Sequence, residues 1–409
     1  MYSLRRVLSL LLIAAMLFSL SCEAFAATIT LPAALKEIDE EAFYGDESLD
    51  EVVLPYGATT IGPLAFACSG LKQIIIPDTV TEIAADAFEG AADVTILSST
   101  DSYAKLYAER YGLSWEDDGN YYASELDGAF KGKTIAFMGD SLIGNFNDHT
   151  GICAILAELT GATVINCAFG GTRMAYSYSV YGDATPGATG YRDGATDSQI
   201  NQVNQYRLWN TLSGYALAQA IATGSWIAQE NAVANLSLGL SYFSSRLADL
   251  EAVDWTKVDY LMWDYGTNDF TSRVKVSDSE NTSNYFAFDN AYRKAIETIL
   301  TAYPNIKIIP ITPMYRWWNS AGAFVDDSNT HTENDYTGVS RLLTAFAETA
   351  QAVAKESQLP CIDIYNNLGV NRSNYLDFFN STDGVHPNAN GRNQYAHYVN
   401  SQLNALETS

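Results

Sequence analysis

Four short segments far apart in the chain carry side chains suited to one reaction: Gly139-Asp140-Ser141-Leu142, Asn166-Cys167-Ala168-Phe169-Gly170-Gly171, Gly266-Thr267-Asn268-Asp269 and Asp383-Gly384-Val385-His386. A hydroxyl is a poor nucleophile until a base removes its proton, so Ser141 needs an imidazole within hydrogen-bond reach, and His386 is the candidate. Asp383 stands three residues ahead of it. That spacing lets one turn aim the carboxylate at the far ring nitrogen, fixing the tautomer and stabilising the imidazolium. Acyl transfer also builds negative charge on the carbonyl oxygen, and donors must already face it. Gly171 offers a backbone N–H with no side chain in the way, Asn268 a side-chain amide, and Ser141 its own N–H. Each segment alone has a structural alternative: Gly170-Gly171 suits a turn, Asn268 a helix N-cap, and Asp383 with His386 a capped turn. Asp140 and Asp269 read as structural carboxylates that bond loop N–H groups.

Something must bring these segments together. Short apolar runs at 134–138, 163–168, 260–263, 306–311 and 361–364 read as buried strands, and 153–159, 244–250, 290–302 and 339–356 as helices between them. That alternation argues for a parallel sheet with helices on both faces. In such sheets ligands bind beyond the carboxyl ends of the strands. Ser141 follows the first strand, Gly171 the second and Asn268 the third, so all three fall where that rule puts a site.

In these blocks the region 130–407 resembles the SGNH hydrolases, also called the GDSL family, whose four blocks supply Ser, Gly, Asn and His. The resemblance implies a flavodoxin-like α/β/α three-layer domain and a serine esterase working without a cofactor. Ser141 would be the nucleophile, Asp383 and His386 the rest of the triad, and Gly171 and Asn268 oxyanion donors. About ninety residues separate Gly171 from Gly266, more than one helix needs. The extra material at 176–235 is rich in Tyr, Gly and Asn and holds Trp209 and Trp226. It is expected to shape the acyl or leaving-group pocket, and its aromatics suit stacking on sugars or, equally, packing in a small subdomain. Arg173 could bind an anionic substrate group or form a surface ion pair. Tyr315-Arg316-Trp317-Trp318, with Tyr315 foremost, is a second rim candidate. His149 and His331 lie in polar stretches and are expected to be solvated, and scattered carboxylates such as Asp326 and Asp327 make no metal-ligand set.

The N-terminal quarter is built differently. Leu31-Pro32, Leu54-Pro55 and Ile76-Pro77 recur with Ile38, Ile61 and Ile83 and with Ala42-Phe43, Ala65-Phe66 and Ala87-Phe88, at steps in the low twenties. A period of that length with fixed aliphatic positions marks a leucine-rich solenoid. These turns resemble BspA-type leucine-rich repeats, which implies a bacterial surface setting and binding to a glycan or host surface. The stretch 102–112 reads as the helical cap, so the repeats with their cap take up 28–115, and the polar run that follows makes 116–129 a linker.

Ahead of the repeats, Arg5 and Arg6 precede an apolar run at 7–20, and Ala24-Phe25-Ala26 offers small residues to a signal peptidase. Residues 1–26 are therefore expected to be a signal peptide cleaved after Ala26, giving a secreted or cell-surface protein. Lipid attachment at Cys22 is the rival, disfavoured by Ser19 three positions earlier. No later run reaches the roughly eighteen to twenty apolar residues of a membrane span. Formal charge is −25, and loss of Arg5, Arg6 and Glu23 with the signal leaves −26. Such a chain repels phosphate backbones and anionic headgroups and leaves neutral polymers as partners. The remaining cysteines, Cys68, Cys153, Cys167 and Cys361, form no Cys-x-x-Cys pair and read as buried thiols. The expected function is a secreted serine esterase, acting first on acetylated polysaccharide and otherwise on short-chain acyl esters. A surface adhesin acting through the repeats is the alternative of a different class.

Overall fold

The computed structural model describes residues 27–31, 35–56, 58–91, 93–100, 102–119, 121–122, 130–237, 240–320 and 323–407. The signal segment 1–26, Pro32, and residues 120 and 123–129 of the expected linker lie outside them. The chain divides into two units, Met1–Glu125 and Leu126–Ser409.

Among its described residues the first unit runs through eight short strands: β1 (Ala27–Thr30), β2 (Glu37–Ile38), β3 (Leu49–Val53), β4 (Thr60–Ile61), β5 (Gln73–Ile75), β6 (Glu82–Ile83), β7 (Thr95–Ser98) and β8 (Ser114–Asp117). They form two parallel ladders, β1-β3-β5-β7-β8 and β2-β4-β6. The period does this: Ile38, Ile61 and Ile83 fall in register, and the Phe66 ring stacks on Phe43 at 5.1 Å and on Phe88 at 5.4 Å. Helix α1 (Tyr103–Tyr111) closes the array between the N-cap Ser102, which accepts from Lys105 N–H, and Gly112 at φ 69. Glu116 and Asp117, expected in the linker, are part of β8 and pair with Leu97 and Ser98.

The second unit is a parallel sheet. Its strands β9 (Thr134–Gly139), β10 (Thr163–Asn166), β11 (Tyr260–Asp264) and β12 (Lys307–Ile311) lie in the order β10-β9-β11-β12, all parallel. That is the doubly wound order, with its switch point between β9 and β11. The expected fifth strand at 361–364 shrinks to one parallel bridge, Ile311 to Ile362. Asp363 ends it by capping the helix that follows through a bond from Asn366 N–H.

Helices follow in chain order: α2 (Ser141–Gly144), α3 (Ile152–Thr160), α4 (Asp197–Thr211), α5 (Gly214–Thr223), α6 (Ile227–Asn235), α7 (Leu240–Glu251), α8 (Thr267–Thr271), α9 (Phe288–Ala302), α10 (Thr344–Glu356), α11 (Ile364–Asn367), α12 (Tyr375–Phe378) and α13 (Ala389–Glu407). Side chains alternate along the strands and give the sheet two cores. Ala136, Met138, Leu261, Trp263 and Ile308 share one cluster with α5, α9 and α10, whereas Phe137 meets Tyr395 of α13, which packs with α3. The stretch 176–235 is thus only partly an added piece, because α5 packs along α9 in that first layer. Helix α10 starts at Thr344 rather than at 339. Asp335 takes the N–H groups of Thr337 and Val339 into a turn, and Glu333–Asn334 (β15) pairs with Ser340–Arg341 (β16). Two further hairpin pairs lie between the sheet and α13: β13 (Trp317–Ser320) with β14 (Ala323–Asp327), and β17 (Phe379–Asn380) with β18 (Asp383–Pro387).

Candidate active site

Gly139 ends β9 and leaves no room for a side chain, since a Cβ there would lie 2.9 Å from the Asp264 carbonyl oxygen. The chain then turns at once into α2. Asp140 is its N-cap and accepts from Leu142 N–H at 2.9 Å, which sets Ser141 at the first helical position. His386 Nε2 lies 2.9 Å from Ser141 Oγ, and its Nδ1 lies 2.7 Å from Asp383 Oδ2. The other Asp383 oxygen accepts from the Val385 and His386 N–H groups at 2.9 and 3.1 Å. One carboxylate therefore orients both the ring and the backbone that carries it. Burial pushes the Asp383 carboxyl up, but the His386 bond and those two N–H groups outweigh it and hold it below the ordinary range.

Asn268 reaches both Asp140, next to Ser141, and Thr172, next to Gly171. Gly171 is exposed and has φ 79, with a Cβ position only 3.3 Å from Trp209 Cη2, so both conformation and space favour glycine. Among the described residues no acceptor engages the N–H of Gly171 or of Ser141. Asn268 is differently placed. Its Nδ2 donates to Asp140 Oδ2 at 3.2 Å and to the Thr172 carbonyl at 3.0 Å, which accounts for both amide hydrogens. Asp269 accepts from Met174 and Ala175 N–H at 2.9 Å each, the structural role expected of it.

Braces that carry no sequence motif hold these loops. The Tyr242 hydroxyl accepts from Gly170 N–H at 3.0 Å and donates to the Gly144 carbonyl at 3.2 Å, tying the glycine turn to α2. Arg392 donates to the carbonyls of Thr150 and Pro387 at 2.7 and 3.0 Å, tying the loop after α2 to the end of β18. At Gly384 the Trp317 carbonyl oxygen lies 2.0 Å from where a Cβ would stand, so β13 packs directly on the strand bearing His386.

Charge is concentrated beneath the site. Burial raises the Asp140 carboxyl, partly offset by the Leu142 N–H and the charge of His386. Burial and then Asp140 push Asp264 well up, while the Tyr395 hydroxyl donates to it at 2.7 Å. Asp269 is pushed up to about 6 by burial, against the Ala175 and Met174 bonds and the charge of Arg173. Arg316 is the counter-ion. Burial lowers its guanidinium to about 10, opposed by Asp140, Asp383 and Glu333. It lies over the Trp318 ring at 4.5 Å, which in turn stacks on His331 at 3.9 Å.

The other expected contacts fare differently. Trp209 stands beside Gly171, edge-on to Phe243. Arg173 is 6% exposed and donates to Asn210 at 3.2 Å, so it is an internal brace rather than a surface ion pair or an open anion site. Tyr315 is 3% exposed, its phenol raised by burial and by Asp327, so it does not form a rim; its neighbour Arg316 is the residue of that run whose charge reaches the site. His331 is half-buried between Asp326 and Glu333 rather than solvated. Trp226 packs on the core. Cys153 and Cys167 are buried, Cys361 is half-buried, and Cys68 is exposed instead of buried.

A model of the GDSL-like lipase/acylhydrolase family matches residues 187–393, half of the chain. The chain belongs to this family. This acylhydrolase is an ester-hydrolysing enzyme, and the matched stretch includes Asn268, Asp383 and His386, with Ser141 and Gly171 ahead of it. The BspA type leucine rich repeat region matches residues 9–109 in six copies, where the phased motifs mark three turns. No curated protein matches the chain. Similar solved structures include a possible lipase from Chitinophaga pinensis, at 18% identity over 68% of this chain and 99% of that one, TM-score 0.39. A carbohydrate acetylesterase from Sinorhizobium meliloti and an aryl esterase from M. smegmatis each show 14% identity over 67% of this chain and 99% of theirs, TM-score 0.35. Among the described residues no helix is long and apolar enough to cross a membrane.

Proposed function

We propose that the acylhydrolase is a secreted serine esterase that removes O-acyl groups, chiefly acetyl, from carbohydrate. The observation that carries the mechanism is the unbroken line from Asp383 through His386 to Ser141 Oγ, with contacts of 2.7 and 2.9 Å. Ser141 Oγ attacks the ester carbonyl carbon while His386 Nε2 takes its proton, and Asp383 stabilises the imidazolium. The oxyanion is met by the free N–H groups of Ser141 and Gly171, and by Asn268 once it hands over one of its two present bonds. His386 then gives the proton to the leaving alcohol, and the C–O bond breaks to leave Ser141 acylated. Water repeats the sequence: His386 takes its proton, the acyl–Oγ bond breaks, and Oγ recovers the proton as the acid departs.

Support for a carbohydrate alcohol comes from Trp209 at the Gly171 corner and from the acidity of the chain, which favours a neutral polymer. Secretion is supported by Arg5, Arg6, the apolar run after them and the Ala24-Phe25-Ala26 step. The repeat unit is assigned to holding the enzyme on a glycan or host surface, which binding of the Ser141→Ala chain to such surfaces tests. For the reaction, residues 27–409 are assayed on p-nitrophenyl acetate beside Ser141→Ala, and equal rates would remove the serine mechanism. A screen of acetylated xylan, mannan, pectin and simple acyl esters then reads the substrate class. Turnover of the simple esters alone would favour a short-chain acylhydrolase instead.

A further inference from the structure

We propose that a groove beside the Gly171–Asn268 corner binds a neutral sugar chain, seating units beyond the one whose ester is attacked; this rests on the carbohydrate-ester reading. The groove has two parts, cavities of about 560 Å³ and 150 Å³, on either side of the stacked pair Tyr178 and Tyr336. The larger one is within the range of small-ligand sites, ~300–1,000 Å³.

Its walls lead out from the proposed reaction centre. Tyr206 lines the smaller cavity and stands three residues before Trp209 on α4, so the two rings share one helix face about a turn apart. Ser272, on the other wall, donates its N–H to the Asn268 carbonyl at 2.9 Å, again one turn away. Both walls thus step from Gly171 and Asn268 into the groove.

The lining suits sugar. Tyr178 and Tyr191 are 45% and 40% exposed in a unit that buries most of its large aromatics. Each is fixed on one side by a protein partner. Tyr178 stacks on Tyr336 at 4.7 Å. Tyr191 lies against the Arg207 guanidinium at 4.6 Å and donates to Asn204 at 2.8 Å. Arg207 is itself held by the Asp183 and Gly190 carbonyls at 2.7 and 2.6 Å. Rings immobilised before a ligand arrives lose little freedom on binding, and a pyranose face of C–H groups packs on them as another apolar surface does. Asp183, kept ionised by bonds from Thr185, lines the larger cavity as an acceptor for sugar hydroxyls. With a chain charge of −25, that carboxylate selects a neutral chain over an anionic one.

The test is calorimetric binding of unesterified xylose, mannose and glucose oligomers, two and six units long, to residues 27–409 carrying Ser141→Ala. The groove predicts that for at least one sugar the longer oligomer binds more tightly. Tyr178→Ala should weaken that binding roughly three- to tenfold, as loss of one ring contact does. Gly190→Trp, which keeps the rings and fills the larger cavity, should weaken it at least as much, with thermal unfolding showing that both variants are folded. Failure of every oligomer to bind, or equal affinity in parent and variants, would overturn the groove. Because Ser141→Ala against p-nitrophenyl acetate is read separately, loss of the groove leaves the esterase mechanism standing, and the two failures are told apart.

Discussion

Asn268 shares its amide hydrogens between the Asp140 carboxylate and the Thr172 carbonyl, which joins the turn after β9 to the turn after β10. The same amide is the proposed third oxyanion donor. If it donates in the transition state, Asn268→Ala lowers kcat on p-nitrophenyl acetate by ~10² or more, the usual loss for one such donor. A change confined to KM would move Asn268 to substrate binding. Asp269 gives a pH signature. Its folded carboxyl, pushed up to about 6 by burial, binds a proton more tightly than the unfolded one. Its contribution to stability is therefore full below the unfolded value and lost as pH rises through about 6. The urea midpoint of the wild-type chain should carry that fall between the ordinary carboxyl value of 3.8 and about 6. Burial raises Asp140 and Asp264 in the same direction, so Asp269→Asn should lessen the slope rather than remove it, and identical slopes in the two proteins would contradict the assignment. At this scale the meeting of Ser141, Asp383 and His386 was legible, because the chemistry they suit admits few residue types. Tyr242, Arg392 and Arg316 were not, because a brace is defined by what it reaches across the fold and leaves no local pattern.

The elements that place these residues are short and joined by close backbone contacts. β18 carries Asp383 and His386, and β13 lies directly on Gly384. Gly384→Ala must push one strand from the other. A shift of about an ångström at a catalytic group costs on the order of 10² in rate, so kcat should fall by about that factor with the overall fold retained. Unchanged kcat would mean that β13 does not position His386. Strands β9 to β12 and helices α3, α7, α9 and α10 followed from apolar period and length, with observed bounds a few residues from the expected ones, whereas α4, α5 and α6 were not expected within 176–235. The misses have local causes: Asp363 caps a helix where a fifth strand was expected, and Asp335 gathers Thr337 and Val339 into a turn before α10. The β13–β14 hairpin gave no signal, since Trp317 and Trp318 read equally as core or rim, and only tertiary packing decides between them.

Over the whole molecule, two kinds of regularity were open to reading. The repeats announced themselves because a solenoid must put the same residue in the same place each turn, as the Phe43, Phe66 and Phe88 stack shows. The catalytic unit announced itself because a doubly wound sheet gathers its strand ends at one edge, and three of the four segments follow such ends. The proposed groove beside that edge was less visible: the residues between Gly171 and Gly266 mix a core helix, α5, with the segment that carries Tyr178 and Tyr191. The most direct measurement of the central claim is to treat residues 27–409 with a p-nitrophenyl phosphonate ester and locate the adduct by peptide mass. One phosphonyl group per chain on Ser141, formed in step with loss of esterase activity and much more slowly in His386→Ala, is the expected result. Full inactivation with the adduct on another residue, or activity that survives complete labelling of Ser141, would contradict it.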